Sequence, residues 1–159
     1  TLASLASPVV AELVASGAIS EGSAEHRLIT THSVKTAQLS AAMVSRSDMN
    51  NVRPADAYIA GLLHDIGKWV MYKAEPVRYL PSAQTHQKVT ERLEMETSLF
   101  GQTHAEAGAS LLRLWGFPPN ICEAVGTHHM VRSDDRTNTL SGIVSRANIE
   151  SHTAHEGLL

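Results

Sequence analysis

Pro54-Ala55-Asp56-Ala57-Tyr58-Ile59-Ala60-Gly61-Leu62-Leu63-His64-Asp65-Ile66-Gly67-Lys68 reads as one helix with chemistry at its end. Proline suits the first helical position, where its missing N–H costs nothing. Ile59, Leu62, Leu63 and Ile66 supply an apolar side, while Ala57, Gly61, His64, Asp65 and Lys68 gather on the other. Gly67 is expected to end or bend the helix. In mid-helix, adjacent side chains diverge by about 100°. At an end followed by glycine, the backbone can let an imidazole and its neighbouring carboxylate reach one ion. The carboxylate has a second oxygen for a second ion. The Lys68 ammonium, one turn on, is placed to hold a phosphate oxygen nearby.

The same period of 3.6 runs outward in both directions, without sustained alternation of period two and without Asn-Gly or Asp-Gly hairpin turns. A short helix is expected from Pro8 to Ser16, capped by Ser7 and stopped by Gly17. A long one follows from about Ser23 to Ser47, with the stripe Leu28, His32, Lys35, Leu39, Met43. Pro76 to Gln87 looks irregular. Further helices are expected from about Gln87 to Leu99, ended by Gly101, and from a Thr103/Glu106 capping box that puts His104 in the first turn. The latter carries Ala105, Ala109, Leu112 and Trp115 and stops at Gly116. Pro118-Pro119 starts another, with Ile121, Val125 and His128 on one face. The last runs from about Asn138 to Ser151, with Leu140, Ile143, Val144 and Ala147 inward. These segments predict an all-α bundle, one domain spanning 1–159 with its motifs between about 31 and 148.

Composition agrees with a folded core: 159 residues, 17.1 kDa, 43% hydrophobic, mean hydropathy −0.10. No apolar run approaches the roughly 18 residues of a membrane-spanning helix, and Thr1-Leu2-Ala3-Ser4 lacks the basic start of a signal peptide. The lone Cys122 excludes an intrachain disulfide and suits a reducing compartment, most simply the cytoplasm. A net charge of −3 without a Lys/Arg block argues against nucleic acid as a partner.

Nine histidines stand against two Phe and two Trp. A buried histidine taken singly is more often a hydrogen-bonded core residue than a ligand. Here, however, His64-Asp65 and His128-His129 both fall near helix ends, and His32 and His104 lie on or beside apolar stripes. A helical interior accepts imidazoles when both ring nitrogens are used, as in a shared metal site within a bundle. His26, His86, His152 and His155 read as surface residues, Met43, Met49, Met71, Met95 and Met130 as gap-filling core or surface residues, and Cys122 as a small buried hydrophobe.

Together these residues resemble the HD superfamily, and within it the HDOD (HD-related output domain) group, from about Thr31 to Ala147. The resemblance rests on His32-Ser33 with Thr36-Ala37, Ala60 through Lys68, Gly101 through Ala109, Trp115-Gly116-Phe117-Pro118, and His128-His129. It implies a helical, metal-dependent phosphohydrolase scaffold. By that resemblance His32, His64 and Asp65 are metal ligands. His104, His128 and His129 match the extra histidines of two- and three-metal branches, and Lys68 matches a lysine that contacts substrate phosphate. Asp65 and Lys68 would be the catalytic residues of a hydrolysis in which one or two divalent ions, Fe, Mn, Zn or Ni, activate water.

Two departures shape the expectation. Where HD enzymes end their motif with Asp, this chain offers Asn148, which can ligate through oxygen but is neutral and cannot act as a base. Asp134 and Asp135 fall in an expected loop. Only 31 residues precede His32, without a recognisable match to the usual N-terminal HDOD helices. No Gly-Tyr-Pro stretch follows His128-His129, which argues against cyclic di-GMP as a substrate. The first expectation is a bacterial signal-transduction output domain with a largely retained metal site, acting through a signalling protein or a nucleotide ligand. The alternative is a phosphohydrolase acting on a nucleotide or cyclic dinucleotide.

Overall fold

A computed structural model describes residues 24–47, 51–75, 77–79, 88–130 and 138–156, with the side chains of 24–26 and 153–156 left aside. The expected Pro8–Ser16 helix, Asp134, Asp135, Met49, His86 and the side chains of His26 and His155 lie outside the described residues. Seven helices form among the described residues, and no strand. They are α1 (Ala24–Ser45), α2 (Pro54–Leu63), α3 (Ile66–Ala74), α4 (Val89–Phe100), α5 (His104–Leu114), α6 (Pro119–Thr127) and α7 (Leu140–Glu156). Among the described residues, no helix is long and apolar enough to cross a membrane.

The boundaries follow local chemistry. Pro54 and Pro119 occupy first-turn positions. Thr103 accepts from the backbone of Glu106, whose side chain returns the bond to the Thr103 N–H at 2.8 Å, so the capping box is complete. Gly101 closes α4 at φ +74°, a left-handed conformation that favours glycine, and Gly116 follows α5 at φ +75°. The last helix extends beyond the expected stop at Ser151 to Glu156, and the Ser151 hydroxyl donates to the Asn148 carbonyl within it.

α1 packs along α2 and α7, α5 against α3 and α6, and α6 and α7 close the bundle. Leu63, Leu112, Ile121, Val125 and Val144 meet in the main core, each at most 1% exposed. A smaller cluster of Met71, Tyr79 and Ala107 lies to one side, with Phe100 against it.

Three local expectations are corrected. The buried face of α1 is Ser33, Thr36, Ala37, Ser40 and Val44; the predicted stripe is only half-buried, and Leu28 is 62% exposed. Close packing explains this. A Cβ at Gly61 of α2 would lie 2.8 Å from the Ala37 Cα, so small α1 residues, not large apolar ones, face the crossing. Asp56, Ala57, Ile59 and Ala60 are all buried, so α2 is enclosed on most sides instead of having one apolar side.

Gly67 does not end a helix; it lies in the first turn of α3, and the break falls earlier, at His64-Asp65. Its lack of a side chain serves contact. A Cβ there would overlap the His104 carbonyl group and come 2.8 Å from the Gly108 nitrogen. α3 and α5 therefore meet backbone to backbone, which draws His104 onto the Asp65 end of α3.

Candidate metal centre

His64 and His128 are placed by the same device. Each is the C-cap of its helix, α2 or α6, in right-handed conformation. Each turns Nδ1 back to the carbonyl three residues earlier, Gly61 and Val125 respectively, at 2.7 Å in both cases. A carbonyl left without a partner at a helix end is thereby satisfied. Because Nδ1–H donates outward, the Nε2 lone pair of each ring faces the interior. Asp65 is the N-cap residue of α3 but makes no side-chain cap bond. Its carboxylate points into the bundle, near the positive end of the helix dipole.

The two Asp65 oxygens serve opposite sides. Oδ2 lies 3.4 Å from His64 Nε2, 3.7 Å from His32 Nε2 and 2.6 Å from the Lys68 ammonium. Oδ1 lies 3.3 Å from His104 Nε2 and 3.8 Å from His128 Nε2. His129 Nε2 stands 3.0 Å from His104 Nε2. One atom from each of Asp65, His104, His128 and His129 falls within a 4.8 Å cluster, and so does one from each of His32, His64 and Asp65. Asn148 Oδ1 lies 2.9 Å from His32 Nε2, which joins the last helix to the first. Of the seven side chains named as ligands from the sequence, five imidazoles thus gather around the Asp65 carboxylate and Asn148 joins through His32. Lys68, expected near a phosphate, has its ammonium on Asp65.

Three further groups, which no sequence signal exposed, orient the rings. Glu96 of α4 is fully buried, and its Oε2 accepts from His104 Nδ1 at 2.6 Å and from the His104 backbone N–H at 2.8 Å. Tyr79 donates to the other Glu96 oxygen at 2.9 Å. On the far side, the Ser151 hydroxyl stands 2.7 Å from the Asn148 carbonyl and 3.0 Å from His32 Nδ1. His152, read as a surface residue, is exposed as expected, but its ring also stacks on His32 at 4.2 Å. A cavity of about 470 Å³, lined by Arg27, Thr31, Lys35 and His152 among others, reaches His32.

Burial sets the charge states. It draws the pKa of His32 and His129 down to about 3 and lowers those of His64 and His128, so these four rings are neutral near pH 7. Burial opposes the charge of Asp65, but the Lys68 ammonium at 2.6 Å outweighs it and holds the carboxyl well below its usual range. Burial likewise opposes the Glu96 charge, and the hydrogen bonds from His104 overcome it.

This donor set fits a divalent cation. His32 and His64 bring their Nε2 atoms to 3.2 Å of each other, with Asn148 Oδ1 2.9 Å from the first, so nitrogen and oxygen ligand atoms crowd close enough to share one ion. Among the described residues, buried Asp65 Oδ1 and His128 Nε2 have no hydrogen-bond partner. Buried acceptors without donors are costly. Imidazole nitrogen with carboxylate oxygen is the ligand chemistry of Zn, Fe, Mn and Ni.

The comparisons name the class to which this helical bundle belongs. The sequence matches the HDOD domain over residues 2–131, and the chain belongs to that family. The match begins upstream of His32 and stops before Asn148. An uncharacterized protein of Treponema pallidum (strain Nichols) is 32% identical over 77 residues, which is 47% of this chain and 15% of that protein. Among solved structures, a protein of Shewanella amazonensis SB2B, provisionally named a phosphohydrolase, superposes with a TM-score of 0.75 at 22% identity, over 96% of this chain and 54% of its own. An HDOD domain protein of unknown function from Geobacter sulfurreducens gives 0.66 at 22%, over 80% and 43%. The MmoQ response regulator of Methylococcus capsulatus str. Bath gives 0.66 at 23%, over 80% and 51%. These likenesses establish the shared fold. The chain spans about half the length of the solved relatives and far less of the Treponema protein.

Proposed function

We propose that this chain is a cytoplasmic, bacterial signal-output domain built around a divalent cation and working through a signalling protein or a nucleotide ligand, without turnover. The observation that carries this reading is the meeting of buried imidazoles, those of His64 and His128 with their lone pairs inward, around a carboxylate whose Oδ1 has no hydrogen-bond donor among the described residues. The case against turnover is Asn148. It faces His32 with a neutral oxygen, so among the described residues the His32 side has no second carboxylate to balance a dication and no carboxylate base to take a proton from water. The relatives include a response regulator and a protein of unknown function, which suits a module used for output.

A phosphohydrolase is the second reading, favoured by the division of the Asp65 oxygens between two sets of ligands. A bound cation would supply acidified water and polarise a phosphoryl oxygen. The chain's own part would be orientation: Asp65 offers one oxygen to each side, Gly61 and Val125 fix the tautomers of His64 and His128, and Lys68 keeps Oδ2 from repelling an anion.

Elemental analysis of protein purified without a histidine tag tests the cation. Near-stoichiometric Fe, Mn, Zn or Ni is expected, and metal-free protein that takes up none of them on dialysis would overturn the reading. Phosphodiesterase and phosphatase assays of the loaded protein separate the two alternatives, since measurable turnover by the unmodified chain contradicts the output role.

A further inference from the structure

The two sides of the cluster are not equivalent. On the Oδ2 side, Lys68 already neutralises the carboxylate oxygen at 2.6 Å, and Asn148 adds no charge. Among the described residues His32 Nδ1 is backed by a serine hydroxyl, and the ring is 15% exposed and borders the cavity. On the Oδ1 side both orphaned acceptors are found, Asp65 Oδ1 and His128 Nε2. His104 and His128 are each 1% exposed, and a buried carboxylate backs His104. Glu96 is itself locked by the His104 backbone N–H and the Tyr79 hydroxyl. A carboxylate behind a ligating imidazole fixes its tautomer and raises its basicity more than a hydroxyl does.

Resting on the cation reading above, we infer that the cluster holds one resident ion at Asp65 Oδ1, His104, His128 and His129, with Glu96 as the residue that positions this subsite. The His32–His64–Asn148 side is an exchangeable second subsite whose share of the carboxylate is occupied by the Lys68 ammonium. The ligand geometry thus assigns an order of filling to two groups of residues that otherwise look interchangeable.

Cobalt(II) added to the metal-stripped full chain, followed by calorimetry and by its visible d–d bands, tests this. The wild type is expected to bind one ion at least about tenfold more tightly than a second. Glu96→Gln should weaken the tight step by about 10–100-fold, the usual cost of losing such a carboxylate, and leave the weak step in place. His32→Ala should abolish the weak step and spare the tight one and its spectrum. Tyr79→Phe keeps the Glu96 carboxylate but removes one support, and should shift the tight step several-fold in the same direction, which provides a milder variant should Glu96→Gln fail to fold. Two equal steps in the wild type, or a tight step that survives Glu96→Gln but not His32→Ala, would overturn the order of filling while leaving the cation reading intact. A wild type that binds no cobalt would overturn the cation reading, and the order of filling with it.

Discussion

Replacing Gly67 by alanine separates helix propensity from helix contact, because the two predict opposite signs. Propensity alone favours alanine, by at most the about 1 kcal/mol of a helix interior. Contact opposes it. The new Cβ would overlap the His104 carbonyl and approach the Gly108 nitrogen to 2.8 Å. Relieving only the latter to about 3.5 Å requires α3 and α5 to part by about 0.7 Å, a gap that forfeits a quarter to a half of the dispersion energy across it. Neither obstacle is a flexible side-chain tip, so a cost of about 3 kcal/mol, the upper part of the overpacking range, is expected. The net loss is then about 2 kcal/mol, or a fall in Tm of about 4–8 °C at this size.

Gly108→Ala is the control. Its Cβ would meet the Ile66 Cγ2 at 3.1 Å and the Gly67 nitrogen at 3.2 Å, contacts that ease with a few tenths of an ångström. Its stability should stay within about 1 kcal/mol of the wild type. Urea denaturation of the metal-free proteins, with thermal melts followed by circular dichroism, measures both. Gly67→Ala as stable as the wild type, or less damaging than Gly108→Ala, would show that α3 and α5 do not meet through their backbones.

Asn148→Asp should tighten divalent binding on the His32 side by tenfold or more, since it adds a carboxylate 2.9 Å from His32 Nε2; unchanged calorimetric affinity would count against Asn148 as a ligand. Leu112→Ala, at a fully buried core position, should cost about 2–5 kcal/mol in urea denaturation; a loss below 1 kcal/mol would mean that the core collapses around the gap. Stability of the metal-free chain should fall as pH drops. His32 and His129 are held at about 3, and His64 and His128 are also lowered, whereas unfolded histidine titrates near 6.5. The unfolded chain therefore binds more protons below about pH 6.5, and each such ring removes up to about 1.4 kcal/mol per pH unit down to its folded pKa. Denaturation midpoints that hold steady between pH 7 and pH 5 would contradict the burial of these rings in neutral form.

Helix boundaries were legible because they are written in short-range chemistry: the prolines at 54 and 119, the capping box at Thr103 and the glycines at 101 and 116. The proximity of His64-Asp65 to His128-His129 was legible through motif order; what these groups bind is a separate, chemical question. Less legible was anything decided by distance between backbones. Gly67 looked like a helix end because a glycine beside a motif gives no hint of the α5 carbonyl that passes over it. The α1 stripe was misplaced because Gly61 lets α2 approach so closely that serine, threonine and alanine become the buried residues. Glu96 was missed because it sits among Glu91 and Glu94 on a polar helix, and only the folded chain distinguishes the one glutamate turned inward toward His104.

His32 and Asn148 are 116 residues apart and come from the first and last described helices, and they touch through one 2.9 Å contact. An ion on that side would therefore act as a clasp between α1 and α7. Linkage makes the clasp reciprocal: force or a partner that pries the two helices apart must loosen the ion, and an ion that binds must stiffen the seam by the same free energy. Occupancy of the exchangeable subsite and the spacing of the outermost helices are then two readings of a single equilibrium.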